Sequence, residues 1–251
     1  MHLNLTEKVA LVTGSSKGIG WAIAQTLHSE GCYVALNARN EVDLSAATAQ
    51  LTGSIGVAGD VTQPVEALRI VSEVLSTFGR IDILVCNVGS GRSVLPGQEH
   101  HDEWMRMLSL NLLSATNMVE VSKEALAKSR GSIVCISSIC GQEVVTGAPV
   151  TYSAAKAALN AYIRGVARPL GRLGVRINGI APGNILFPGS VWEQKLIEDD
   201  AAVEQMLQRE VALCRLGKPQ DVADLTLWLA SAGAEFATGG IYLVDGGQTR
   251  S

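Results

Sequence analysis

The sequence predicts an α/β fold, a parallel β-sheet with helices on both faces. Two observations predict it. Short Val/Ile/Leu/Ala-rich runs recur at 9–12, 33–36, 55–58, 81–86, 132–136, 175–180 and 241–244. They are continuously apolar rather than alternating, as strands buried on both faces must be. Between them lie segments of helical periodicity at 19–29, 43–50, 64–77, 102–127, 152–173 and 221–230. Strand and helix alternating in this way require crossovers that cover both sides of one sheet.

Several of these elements, taken in chain order, end in residues with chemistry. The first strand runs into Thr13-Gly14-Ser15-Ser16-Lys17-Gly18-Ile19-Gly20, after which an amphipathic helix begins. A strand, a glycine loop and a helix start form the context in which backbone N–H groups hold a pyrophosphate. Gly14 permits the sharp turn, Gly18 close backbone approach, and Gly20 tight helix packing. The alternative is a plain helix N-cap at Ser15 or Ser16. The second strand is followed by Asn37 and Arg39, and the third by Asp60, which by itself reads as a turn or cap residue. The fourth leads into Cys86-Asn87-Val88-Gly89. In the helix after it, Asn111 is a lone polar residue on an apolar stretch and must find hydrogen-bond partners; a stabilised helix kink is one reading. The fifth strand ends in Ser137-Ser138, at the carboxyl end where open α/β sheets bind ligands.

The next helix opens with Tyr152 and Lys156, spaced to share one face. A neighbouring ammonium favours a phenolate, so this pair predicts a tyrosine whose pKa is lowered for proton exchange with an alcohol or carbonyl oxygen. Alone, such a pair is also the pattern of a solvated helix face. After the sixth strand the rhythm breaks at 187–213, where an extra helical stretch replaces a strand. It reads as a substrate lid or as a surface excursion packed on the body. Pro219 and Asp221 mark the start of the last helix.

Composition narrows the class. The chain has 251 residues, 47% hydrophobic, 4% aromatic and 18% charged, with 26 Gly and a formal net charge of −4. No linker or repeat divides it, so one domain over 1–251 is expected. High hydrophobicity excludes a disordered chain. The absence of Lys/Arg runs argues against nucleic-acid and anionic-membrane partners. The first eight residues lack the blocks of a signal peptide and no apolar run reaches membrane-spanning length, which predicts a cytoplasmic protein. Cys32, Cys86, Cys135, Cys140 and Cys214 form no CxxC pair and read as buried, reduced thiols. His2, His28, His100 and His101 lack metal-ligand spacing, and no metal site is expected.

Residues 13–20, Asp60-Val61, Asn87-Val88-Gly89, Asn111, Ser138, Tyr152 with Lys156, and Pro182-Gly183, in this order over the whole chain, resemble the short-chain dehydrogenase/reductase family in its single-domain form. The resemblance implies a Rossmann-like, doubly wound sheet of about seven strands and a nicotinamide cofactor for hydride transfer between an alcohol and a carbonyl. It implies a catalytic set of Asn111, Ser138, Tyr152 and Lys156. Ser138 would hydrogen-bond the substrate oxygen, Lys156 also the nicotinamide ribose, and Asn111 a water in a relay to Lys156.

For the cofactor the resemblance implies Gly14, Ser15, Ser16, Lys17, Gly18, Ile19 and Gly20 at the pyrophosphate. Asp60 and Val61 would frame the adenine, Asn87 and Gly89 the adenosine ribose, and Pro182, Gly183 and Ile185 the nicotinamide. An enzyme preferring NAD places Asp or Glu after the second strand. Here Arg39 and Lys17 stand near that position instead, which predicts NADP(H) over NAD(H), with Asn37 on a free ribose as the alternative.

The chain departs from the family at three points. Cys86 replaces an Asn, Phe187 stands where a cofactor-binding Thr is frequent, with Ser190 as a candidate stand-in, and the interval from Ser138 to Tyr152 is longer by a residue. Segments 90–94, 142–150 and 184–200 should face the substrate, with Arg92, Gln142, Glu143, Trp192 and Lys195 as candidates. The nearest general likeness is to 3-oxoacyl-carrier-protein reductases, with a small or carrier-bound carbonyl as substrate. Lys128, Arg130 and Arg172 would then form a patch for an acidic carrier, or are simply solvated helix ends. A sugar or polyol dehydrogenase is the alternative within the family, and a catalytically silent NADP-binding regulatory module the alternative outside it. The helices of Asn111 and Tyr152 and the segment 239–247 match family interfaces of homotetramers, so a homotetramer or homodimer is expected.

Overall fold

Seven strands, β1 (Val9–Thr13), β2 (Tyr33–Ala38), β3 (Ile55–Ala58), β4 (Ile83–Cys86), β5 (Ser132–Ile136), β6 (Arg176–Pro182) and β7 (Ile241–Val244), form one parallel sheet in the order β3-β2-β1-β4-β5-β6-β7. The structure, a computed structural model, describes residues 3–250, so His2 lies outside the described residues. The strand order reverses between β1 and β4. Connections leave the sheet in opposite directions on either side of that point and open a crevice at the carboxyl ends.

Strand residues alternate between two cores. Val12, Val85 and Val134 point to one face, where α1 (Gly18–Ser29), α2 (Glu41–Thr48) and α9 (Pro219–Ala230) cover them. Leu11, Leu84 and Ile133 point to the other, beneath α3 (Pro64–Phe78), α5 (Ser114–Ser129) and α6 (Val150–Arg172). Both faces of the central strands are therefore buried, which explains their unbroken apolar runs, while the edge strands β3 and β7 are only partly covered.

Three boundaries differ from the sequence reading for local reasons. The fourth strand begins at Ile83 because Asp82, buried at the sheet's amino end, is taken by the Val9 N–H at 3.0 Å and by Arg80 at 2.5 Å. Helix α2 begins at Glu41 because Asn40 caps it, accepting the Asp43 N–H at 3.0 Å. The long helix expected over 102–127 is interrupted: α4 (His101–Leu108) passes through a π turn (Ser109–Leu113) into α5. Asn111 sits in that turn with its amide drawn inward, where its Nδ2 donates to the Met107 carbonyl at 3.2 Å and competes with the helical ladder.

The segment 187–213 folds as α7 (Val191–Glu198) and α8 (Asp200–Glu210). Helix α7 buries no residue and α8 buries Val203 alone, so this layer lies on the surface. One cysteine expectation is corrected: Cys32, Cys86 and Cys135 are buried, but Cys140 is half-buried and Cys214 exposed, the latter in a turn with φ 48° between α8 and α9.

Candidate active site

At the end of β1 the glycine loop is tied down by the neighbouring strands. Ser15 Oγ donates to the Val12 carbonyl at 2.7 Å and accepts the Asn37 N–H at 3.0 Å, so its hydroxyl faces the sheet. Asn87 Nδ2 donates to the Thr13 and Gly14 carbonyls, both at 3.0 Å. Gly14 and Gly18 adopt φ +62° and +59°, a region that favours glycine. A β-carbon on Gly20 would lie 2.5 Å from Asn87 Nδ2 and closer still to the Gly14 carbonyl. The loop can close on α1 only with glycine there.

The cap of α1 is neither Ser15 nor Ser16. Exposed Lys17 occupies that position without a side-chain bond, and the first turn carries no acidic residue. Its N–H groups are left to an external acceptor, with the positive end of the helix dipole behind them. This donor set fits a dinucleotide's phosphates.

The catalytic candidates converge at the carboxyl ends of β4 and β5. Tyr152 lies in the first turn of α6, with Lys156 Nζ 5.9 Å from its ring centroid. Lys156 is buried and donates to the Ile136 carbonyl at 2.8 Å. Burial brings its ammonium down to about 8. Burial also pushes the Tyr152 phenol up to about 12, with the Ser138 hydroxyl acting against the rise. The expected lowering of the phenol by Lys156 is therefore overridden: desolvation of the phenolate outweighs the neighbouring charge.

Ser138 follows β5 and caps a short 3₁₀ turn (Ile139–Gly141), accepting the Cys140 N–H at 3.2 Å. Asn111 Oδ1 accepts the Ser90 N–H at 2.9 Å and its Nδ2 donates to the Ser90 carbonyl at 3.2 Å, which pins the segment after β4 to the π turn. A β-carbon on Gly89 would lie 2.8 Å from Asn111 Oδ1 and 3.0 Å from Lys156 Nζ. The bare glycine lets these two groups face one small space.

Around the crevice, Asn37 spends both amide hydrogens on the Val57 and Gly59 carbonyls at 2.9 and 3.2 Å. Arg39 is exposed beside it, 3.8 Å from Asp60, whose other oxygen accepts Thr62 Oγ1 at 2.8 Å. Val61 is buried in the core, and Asn117 holds its carbonyl at 3.1 Å. Pro182 ends β6 and Gly183 donates to the Val244 carbonyl at 3.0 Å. Gly217 engages the Asn184 carbonyl and the Leu186 N–H, each at 2.8 Å, which leaves the backbone of Ile185 between them free to meet a ligand. The Phe187 ring lies over the glycine loop, where a β-carbon on Gly18 would come within 2.7 Å of it. Ser190 caps α7, accepting the Glu193 and Phe187 N–H groups at 3.0 and 3.3 Å.

Of the substrate-side candidates, Arg92 donates to the Gly189 carbonyl at 3.0 Å and joins the segment 90–94 to the α7 segment. Glu143 accepts the Arg250 N–H at 3.4 Å, Gln142 is half-buried, and Lys195 covers the Trp192 ring at 4.4 Å. Lys128, Arg130 and Arg172 precede β5 and β6 and stand at the amino ends of the strands, a strand's length from the crevice. They do not flank its mouth.

Two groupings were not anticipated from sequence. Glu103, held by Arg106 at 2.6 Å and by Ser93, continues through Ser93 Oγ to Thr151 at 2.8 Å, next to Tyr152; these hydrogen bonds keep its carboxyl down at about 2. Asn160 lies between Ser137 and Gly141. A polar residue one turn past Lys156 on an apolar stripe was the available signal for Asn160; nothing in sequence spacing pairs Glu103 with Ser93.

Comparison with known proteins agrees with this geometry. Residues 14–249 match the family model described as enoyl-(acyl carrier protein) reductase. The chain is 36% identical to L-fucose dehydrogenase of Mus musculus over 243 residues, covering 96% of this chain and 88% of that protein. It is 33% identical to the 3-oxoacyl-(acyl-carrier-protein) reductase of Escherichia coli over 247 residues, 98% of each chain. The L-sorbose reductase of Gluconobacter frateurii, solved with NADPH and L-sorbose, superposes with a TM-score of 0.93 at 29% identity over 100% of both chains. A seven-stranded parallel sheet, a glycine loop feeding an uncapped helix and a Ser-Tyr-Lys cluster at the strand ends meet in one chain that belongs to the short-chain dehydrogenase/reductase family, oxidoreductases of CH–OH and carbonyl groups.

Proposed function

We propose that the chain is an NADP(H)-dependent oxidoreductase that interconverts a small hydroxylated carbonyl compound and its secondary alcohol. The observation that carries this reading is the meeting of Ser138, Tyr152, Lys156 and Asn111 at the carboxyl ends of β4 and β5, beside the uncapped start of α1. When bound, the nicotinamide supplies or accepts the hydride. Tyr152 then passes a proton to the developing alkoxide, or takes one from the alcohol. Ser138 hydrogen-bonds the same oxygen and orients the phenol. Lys156 adds positive charge beneath the phenol and would donate to the nicotinamide ribose, and a water between Asn111 Oδ1 and Lys156 Nζ would resupply the proton. Gly14 to Gly20 would hold the pyrophosphate, Asp60 and Val61 would border the adenine, Asn87 and Gly89 its ribose, and Pro182, Gly183 and Ile185 the nicotinamide.

The preference for NADP(H) rests on Arg39, exposed at the end of β2 with Lys17 in the loop opposite, and on an Asn37 whose donors are already used. Arg39→Ala is expected to lower kcat/KM for NADPH by about tenfold or more, the loss of one charge-assisted contact, and to leave NADH nearly unchanged. A parent chain that uses NADH better than NADPH refutes the preference.

The far-edge position of Lys128, Arg130 and Arg172 removes the argument for carrier docking at the crevice, which favours a small hydroxylated substrate. The sugar-active relatives point the same way. A 3-oxoacyl thioester is the second reading, on the strength of the reductase that matches 98% of the chain. Following NADPH oxidation with keto-sugars against 3-oxoacyl thioesters decides between them; turnover of thioesters alone reverses the order. Tight NADPH binding without turnover of any carbonyl would instead favour a silent regulatory module. We also propose a homotetramer or homodimer in the cytoplasm, supported by exposed Met105, Leu113 and Leu243 on the expected faces. Among the described residues no helix is long and apolar enough to cross a membrane. Gel filtration giving a monomer overturns the assembly.

A further inference from the structure

We propose that Asn160 is a positioning residue for the carbonyl–alcohol interconversion, acting through Ser138; the inference rests on that assignment. Asn160 stands one turn beyond Lys156 on α6, and both side chains reach the same stretch of chain from one helix face. Lys156 Nζ donates to the Ile136 carbonyl at 2.8 Å, just ahead of the serine pair. Asn160 Oδ1 accepts Ser137 Oγ at 2.6 Å, and Asn160 Nδ2 donates to the Gly141 carbonyl at 2.9 Å. Residues 136–141 are thereby clasped before, within and after the serine pair by a single helix. Ser138 lies inside the clasp with its hydroxyl spared: it accepts the Cys140 N–H and keeps its proton for Tyr152 or a substrate oxygen.

The close approach is built into the chain. A β-carbon on Gly141 would lie 2.6 Å from the Lys156 carbonyl carbon, so the 3₁₀ turn rests directly on the α6 backbone. Asn160 and Ser137 are 1% and 4% exposed, where a hydrogen bond left unmade costs the full desolvation of its donor or acceptor. An apolar side chain of the same size would fill this space. An amide that satisfies a hydroxyl on one side and a carbonyl on the other also fixes the direction in which the turn leaves β5. Ser138 is aimed by that direction, and a misplacement of about 1 Å is enough to cost on the order of a hundredfold in rate.

Asn160→Leu keeps the γ-branched shape and removes both bonds. With the best carbonyl substrate, kcat is expected to fall about ten- to a hundredfold while KM and the cofactor Kd stay within about threefold. With the alcohol as substrate, the rise of kcat with pH should move upward in pH, because Ser138 no longer opposes the rise of the Tyr152 phenol. Amide exchange of residues 139–142 should quicken. In a Ser138→Ala background the same substitution should add little, since the group it aims is gone. An equal loss in both backgrounds, or an unchanged kcat and exchange with only a lower Tm, overturns the proposal. If Asn160→Leu does not fold, Ser137→Ala removes one of the two bonds by deleting a single oxygen and is judged by the same pattern. Exchange needs no substrate, so a parent chain that turns over no carbonyl refutes the assigned activity while exchange still decides whether Asn160 holds the turn.

Discussion

Tyr152→Phe is expected to lower kcat by about a hundred- to ten-thousandfold and to leave NADPH binding and Tm within error, since that is what general acid–base groups contribute. The substitution deletes one oxygen from a ring that the α6 backbone already places, so geometry survives and only the proton route is lost. Turnover near the parent's rate removes Tyr152 from the mechanism. The direction of the reaction should set its pH dependence. Burial keeps the phenol protonated to about 12, so Tyr152 is poised at neutral pH as the acid for carbonyl reduction. Burial brings the Lys156 ammonium down to about 8, above which the support beneath a developing phenolate is lost. Reduction is therefore expected to hold at neutral pH and decline above that value. Alcohol oxidation, which needs Tyr152 to take a proton, should rise with pH until the same loss intervenes.

Gly20→Ala is expected to abolish cofactor binding and to destabilise the fold by about 1–3 kcal/mol, the usual cost of an overpacked site. The added methyl would enter the contact between α1 and the Gly14 carbonyl and strike Asn87 Nδ2, itself bound to the Thr13 and Gly14 carbonyls. Neither neighbour can yield, because one is backbone and the other holds the loop. NADPH titration and thermal unfolding check both parts, and a variant that binds NADPH as the parent does shows that the loop has other room.

The succession of strands and helices along the chain and the positions of Tyr152, Lys156 and Ser138 were legible because each is a local pattern: an apolar run, a helix start, a strand end. The break in the long helix at Asn111 was not. Its cause is an amide turned inward to Met107 and to Ser90, a residue distant in sequence, and periodicity cannot show where a side chain takes over a backbone partner. The Tyr152 phenol was misjudged for a related reason. Proximity of an ammonium is written in the spacing, whereas the depth of burial is set by the fold around the ring, with Ser138 and Cys140 brought to it from the end of β5. The Glu103–Ser93–Thr151 network likewise needs three segments brought together by the fold. Lys128, Arg130 and Arg172 share a charge but sit at the wrong end of the sheet for the role considered, a distinction invisible until strand direction is known.

The π turn at Ser109–Leu113 also fixes the rotational phase of α5. Each residue of an α-helix advances the chain by about 100° around the axis. Deleting Leu112 to give α4 and α5 one continuous ladder would rotate Met118, Val119 and Leu126 off the sheet and turn polar α5 residues toward it. The widened turn is thus the vernier that reconciles two facings, one demanded by the apolar floor beneath α5 and one by the amide that points into the crevice.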